Sequence, residues 1–265
     1  EITVYGMKAA SYEAVTRAPG SFAEHRAGVG LLLERKVPFV VKSALLPPNR
    51  AEIAEFERWA ASIPWMTRPP DYAMLLELRG RRDDEAKNRR IAALRTPPGD
   101  AVALMARDAE GYRREMERFG ERFMGPGGDR LFRCGAGHGI TVDAYGRAQP
   151  CMPLRAPELS VDLFPDGGRE RRTLAGALER CRRLRDLRAS NPDYLRRCAV
   201  CFLKGLCEQC PGKSWTEHGT LDTPVEYLCE TAHAQARRLG WLAEGEKSWE
   251  VTDGRERVGR RKEDR

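Results

Sequence analysis

The feature that most constrains this chain is where its cysteines fall. All eight lie after residue 130, and Cys198, Cys201, Cys207 and Cys210 sit within thirteen residues. Two residues separate the first pair, five the middle pair and two the last pair. Turns of this kind let several sulfurs converge, and thiolates are the usual ligands of structural zinc and of iron–sulfur clusters. Four unrelated buried thiols do not group in this way. A zinc ribbon normally separates its cysteine pairs by about 12 or more residues, so the gap of five is tight for one tetrahedral ion. Three more cysteines stand nearby. Cys134 and Cys151 flank an expected hairpin, and Cys229 falls inside an expected late helix. Seven grouped thiols fit two four-iron clusters better than one metal ion. The eighth, Cys181, lies on an apolar stripe with Leu174, Leu178 and Leu184 and reads as a buried helix residue.

Composition narrows the remaining classes. Hydrophobic residues make up 41% and charged residues 32%, as in an ordinary globular protein. No run reaches the ~18 apolar residues of a membrane span. We read no signal peptide, and ungrouped disulfides are disfavoured in a reducing cytoplasm, where clustered cysteines bind metal. The chain begins at Glu1 inside a strand-like segment, and further sequence is expected upstream. The net charge of +7 gathers in Arg79–Arg90, Arg169–Arg188 and Arg255–Arg265. These runs read as solvated helix faces, with attraction of an acidic peptide as the functional alternative. Aromatic residues do not interleave with them, which disfavours nucleic acid.

The first half alternates strand and helix. Ile2–Gly6 is expected as a strand, Ser21-Phe22-Ala23-Glu24 as a capping box opening a helix to about Lys36, and Val37–Val41 as a buried strand. Phe22, Val29, Leu32 and Leu33 would form that helix's buried face. Asn49 is expected to cap a second helix carrying Ile53, Phe56 and Ala60 on its buried face, with a third strand inside Trp65–Leu78. This rhythm predicts parallel strands joined by helical crossovers. Gly80–Asp100 is expected as a loop and Asp100–Phe123 as a helix. Gly125-Pro126-Gly127-Gly128 is the expected boundary. Beyond it we expect a hairpin over Gly139–Pro150 turning near Tyr145-Gly146, and a helix over Thr173–Ala189. A last helix should be opened by the capping box Thr223-Pro224-Val225-Glu226 and closed at Gly240. The domains are thus expected at 1–124 and 125–240, with 241–265 a polar, disordered tail.

The spacing resembles a known signature. Cys134, eleven residues, Gly146, four residues and Cys151 resemble the opening of the SPASM motif. That motif continues as Cys-x2-Cys-x5-Cys-x3-Cys, a gap and a final Cys. Cys198, Cys201 and Cys207 match, Cys210 arrives one residue early, and Cys229 fills the last place. More loosely, Val4-Tyr5-Gly6, Tyr12–Thr16, Pro19–Phe22, Val41-Lys42 and Asn49 resemble the later strands of a radical S-adenosylmethionine (SAM) barrel. The chain therefore resembles the C-terminal part of a radical SAM enzyme with a SPASM domain. The implied fold class is α/β: part of a (β/α) barrel followed by a small cysteine-rich α+β domain.

The resemblance implies two auxiliary [4Fe–4S] clusters. Cys198, Cys201, Cys207 and Cys229 would hold the second, and Cys134, Cys151 and Cys210 the first. No cysteine precedes Cys134 to complete the first set. His138 is a substitute ligand or a plain surface histidine. Tyr5 and Asn49 would stand near SAM, or serve as a packed aromatic and a helix cap. The Cys-x3-Cys-x2-Cys loop that holds the SAM cluster is absent from these residues. In the full protein, SAM and a third [4Fe–4S] cluster would generate a 5′-deoxyadenosyl radical that modifies a peptide or protein by crosslinking, epimerisation or oxidation. Implied partners are that substrate, a leader-peptide-binding protein, and a flavodoxin- or ferredoxin-like electron donor. The alternatives are a radical SAM dehydrogenase of a small molecule, an electron-transfer domain, and a zinc-stabilised binding module without catalysis.

Overall fold

The computed structural model describes every residue except 75, 81, 133, 135, 137, 166–171 and 260–265. Parts of all three basic runs and the last six residues of the expected tail therefore lie outside the described residues. The chain is mixed α/β and divides into two compact units, 1–76 with 89–96, and 77–88 with 97–265.

The first unit contains β1 (Ile2–Val4), α1 (Ala9–Thr16), α2 (Ser21–Glu34), β2 (Val41–Ala44), α3 (Ile53–Ala61) and β3 (Asp71–Ala73). The strands are parallel in the order β1-β2-β3, with Val4 opposite Ser43 and Ser43 opposite Tyr72. Their connections carry the helices, as parallel strands require. Val4, Val29, Val41, Phe56 and Ala60 form the core. Ile53, Phe56 and Ala60 are buried along one face of α3, as their spacing predicts.

Three local expectations fail for stated reasons. The strand expected at Val37–Val41 begins only at Val41, because residues 36–40 close α2 and turn the chain. Lys36 adopts φ 54° and the Val37 amide bonds back to the Leu32 carbonyl. The Ser21 capping box does not form. Gly20 is the N-cap at φ 83°, and the Ser21 hydroxyl lies 2.8 Å from that of Thr16. Asn49 makes no cap bond to the helix that follows. Its Nδ2 donates to the carbonyls of Tyr5 and Ala44, both at 2.8 Å, and its Oδ1 accepts from the Leu46 amide at 2.9 Å. This buried amide thus ties the C-terminal ends of β1 and β2 together. Asn49→Ala is expected to destabilise the unit by about 2–4 kcal/mol, since three buried backbone groups lose their partner. Denaturant unfolding followed by Trp59 and Trp65 fluorescence measures it, and a loss below about 1 kcal/mol would contradict the tie.

The division between units runs through α4 (Glu85–Ala93), a helix where a loop was expected. The second unit continues with α5 (Pro98–Met105) and α6 (Ala109–Phe123), which replace the single expected helix over 100–123. Asp108 separates them and caps α6, its carboxylate accepting from the Gly111 amide at 2.9 Å. Residues 97–124, expected with the first domain, thus pack with the cysteine-bearing unit. The glycine-rich stretch after α6 does end the helix.

β4 (Thr141–Val142) and β5 (Arg147–Gln149) form the expected hairpin, with Gly146 at φ 75° in its turn. β6 (Val161–Asp162) adds an antiparallel third strand. α7 (Leu174–Arg182) is shorter than expected and continues as a 3-10 turn to Asp186. It buries Cys181 at 1% exposure, matching the core reading. There follow α8 (Pro192–Arg196), α9 (Lys204–Cys207), α10 (Pro211–His218), α11 (Glu226–Leu239) and α12 (Gly254–Gly259). α11 ends at Gly240 in a left-handed cap, as predicted. It starts at Glu226 without a side-chain cap, because the Thr223 hydroxyl is taken by Thr220 and Asn191. Residues 241–259 are not a loose tail. Trp241, Leu242 and Ser248 are all under 5% exposed, and α12 packs on α6. Among the described residues, no helix is long and apolar enough to cross a membrane.

Candidate metal centre

The cysteine-rich turn is held at both ends. Asn191 caps α8, accepting from the Asp193 amide at 2.9 Å. After α8 the chain presents Cys198 and Cys201, then enters α9. Gly205 is required there, since a Cβ would collide with the Phe123 carbonyl at the end of α6. α9 ends at Cys207, and Glu208 then adopts a left-handed conformation at φ 53°. That is costly for a residue with a Cβ. The Lys213 ammonium holds the Glu208 carboxylate at 2.9 Å. Cys210 follows as N-cap of α10.

The turn divides the sulfurs into two groups. Cys198, Cys201, Cys207 and Cys229 line one small cavity together with Arg197 and Trp249. Cys229 reaches it from the first turns of α11. Cys210 belongs with Cys151 and Cys134 instead. The first turn of α10 lies against Pro153 and Leu154, just beyond Cys151, where a Cβ on Gly212 would stand 3.3 Å from Pro153. The Cys134 thiol lies near enough to both Cys151 and Cys210 to raise their pKa values further. Cys134 itself is exposed, as is His138. Among the described residues, no three His, Cys, Asp or Glu side chains meet closely enough to hold a single metal ion.

Burial dominates the electrostatics. It pushes the Cys198 thiol up to about 12 and raises Cys207, Cys210, Cys229 and Cys151. Cys201 is raised by burial too, against the opposing pull of the Ser248 hydroxyl at 2.9 Å. At neutral pH these thiols hold their protons, and any metal that binds must displace them.

Set against known proteins, the chain matches no family model, no curated protein and no solved structure. Its chemistry is therefore read from its own residues.

Several wall residues escaped the sequence reading. Arg197 donates through Nη2 to the Cys229 sulfur at 3.6 Å. Glu226 grips the same guanidinium in a two-point pair at 2.6 and 2.9 Å, and the Trp249 ring lies 4.6 Å from its centre. The Arg197 Nε is buried without a partner. The Gln209 amide donates to the Cys207 sulfur at 3.4 Å. His233 bridges Cys229 and the closing segment: Nδ1 donates to the Cys229 carbonyl at 2.8 Å, and Nε2 accepts from the Ser248 amide at 3.2 Å. That arrangement fixes a neutral tautomer, consistent with a pKa lowered by burial. Only the adjacency of Arg197 to Cys198 was visible in sequence. Ser248 and Trp249 arrive from some fifty residues downstream.

Four thiols line one cavity, the ligand type an iron–sulfur cluster takes. N–H donors from Arg197 and Gln209 address the Cys229 and Cys207 sulfurs, the Ser248 hydroxyl pairs with Cys201, and the buried Arg197 Nε has no protein partner. Cys134, Cys151 and Cys210 could hold a second group through three thiolates.

Proposed function

We propose that this chain is the auxiliary-cluster part of a radical SAM enzyme that modifies a peptide or protein. The observation that carries the reading is the cavity: the four cysteines that the SPASM-like spacing assigns to one cluster are the four that line it. The remaining three of the spacing, Cys134, Cys151 and Cys210, are neighbours of one another. The parallel β1-β2-β3 sheet is compatible with the later strands of a barrel, in which Tyr5 would stand near a ligand, while the Asn49 amide is engaged by the backbone around it. The SAM-cluster cysteines would come from outside these residues.

When bound, such clusters supply one-electron transfer close to the substrate. The protein's residues do the rest. The seven thiolates would hold the clusters, Arg197 and Gln209 direct N–H groups at the Cys229 and Cys207 sulfurs, Ser248 pairs with Cys201, and Trp249 lines the cavity. Cys134, exposed, puts the three-thiol site nearest to solvent and to a substrate or electron donor.

Metal analysis of anaerobically reconstituted protein tests this. About eight irons and eight sulfides per chain with a broad visible absorption are expected from two [4Fe–4S] clusters. A colourless protein holding one or two zinc ions would overturn the reading and leave a structural binding module.

A further inference from the structure

We propose that Arg197 sets the reduction potential of the group held by Cys198, Cys201, Cys207 and Cys229. This inference rests on the cluster reading above and deepens it. Adding an electron to a thiolate-bound cluster increases the negative charge on its sulfurs. A positive donor at one sulfur stabilises that reduced state and raises the potential.

Arg197 is placed for this role while it also pairs with Asp193 and Glu226. Its side chain is 14% exposed, so bulk water and salt screen it weakly. Glu226 and Asp193 occupy Nη1, and Nη2 is shared between Glu226 and the Cys229 sulfur. The buried Nε faces no protein acceptor. Glu226 and Cys229 stand three residues apart on α11, so one helical turn carries both the ligand and the anchor of its donor. Trp249 fixes the guanidinium plane from its face. The other cation on the wall, Lys204, turns its ammonium to the Gly128 carbonyl and to Tyr194. The Ser248 hydroxyl paired with Cys201 and the Gln209 amide that donates to Cys207 are neutral. Among the described residues, the direct hydrogen bond to one of these sulfurs that carries charge is that of Arg197, whereas Lys204 and Lys247 act on Cys198, Cys201 and Cys229 only through space.

The test is a redox titration of the reconstituted full chain, followed by electron paramagnetic resonance, on the parent, Arg197→Gln and Arg197→Lys. Iron and sulfide are counted first in each. In Arg197→Gln one of the two midpoint potentials is expected to fall while the other stays at the parent value. In Arg197→Lys, which keeps the charge but loses the forked geometry, the same midpoint should fall by less. A residue that merely supports the fold would lower cluster content without moving the potential of the cluster that remains. If Arg197→Gln does not load, Arg197→Lys decides. Two unchanged midpoints at full cluster content, or equal shifts in both, overturn the role of Arg197 and leave the cluster reading standing. Absence of iron–sulfur clusters in the parent overturns both, and metal analysis reports that before any potential is measured.

Discussion

Cys207→Ala and Cys210→Ala are expected each to remove about half of the iron and sulfide, and to remove different halves. The two cysteines are three residues apart, close enough that a single site would ordinarily claim both. The left-handed Glu208 separates them. Cys207 ends α9 facing the cavity with Cys198, Cys201 and Cys229, whereas Cys210 caps α10 beside Cys151. The Cys207→Ala protein should keep the signal of the three-thiol site, and the Cys210→Ala protein that of the four-thiol site. The double variant should retain little iron. Metal analysis with electron paramagnetic resonance of the reduced proteins reads the result. Loss of the same signal in both single variants would mean that the turn does not divide the sulfurs, and would return the chain to a single-site protein.

Trp241→Ala is expected to destabilise the second unit by about 3–5 kcal/mol, and a chain ended after Gly240 should not pack that unit at all. Trp241 is 2% exposed in a core with Phe202, Leu203 and Leu239. It also lies against Gly120 of α6, where a Cβ would come within 3.1 Å of its ring. Phe202 and Leu203 stand between Cys201 and Cys207, so the cysteine turn rests on this tryptophan. Ending the chain at Gly240 would also remove Trp249 from the cavity wall and Ser248 from its contact with Cys201. Thermal or denaturant unfolding of the metal-free protein measures both effects. A change under about 1 kcal/mol for Trp241→Ala would show that residues 241–259 are the loose extension their composition suggests.

What the sequence made legible was whatever depends on short spacing. The grouping of Cys198, Cys201 and Cys207 needs only a local turn, and the burial of Ile53, Phe56 and Ala60 needs only a helical period. The αβ alternation of the first unit followed in the same way. The failures are competitions that spacing does not reveal. Ser21 and Thr223 both carry the signature of a capping box, yet nearby hydroxyls and the Asn191 amide claim their side chains. Asn49 was read as a cap because its partners, Tyr5 and Ala44, are recognisable only once β1 and β2 lie side by side. The segment after Gly240 looked disordered because it is mostly polar. Its structure hangs on a few apolar anchors and on His233, which binds it from fifteen residues upstream. The donors to the cysteine sulfurs were hidden for the same reason: the Arg197–Cys229 and Ser248–Cys201 contacts each span more than thirty residues.

The turn at Glu208 has a consequence for distance. Successive Cα atoms are about 3.8 Å apart, so three links allow at most ~11 Å between the Cα atoms of Cys207 and Cys210. Whatever the two groups of sulfurs hold, their occupants are leashed to one another by a tether too short to slacken. No hinge elsewhere in the chain can separate them, and a shift of α10 at one group pulls on the other through three peptide units.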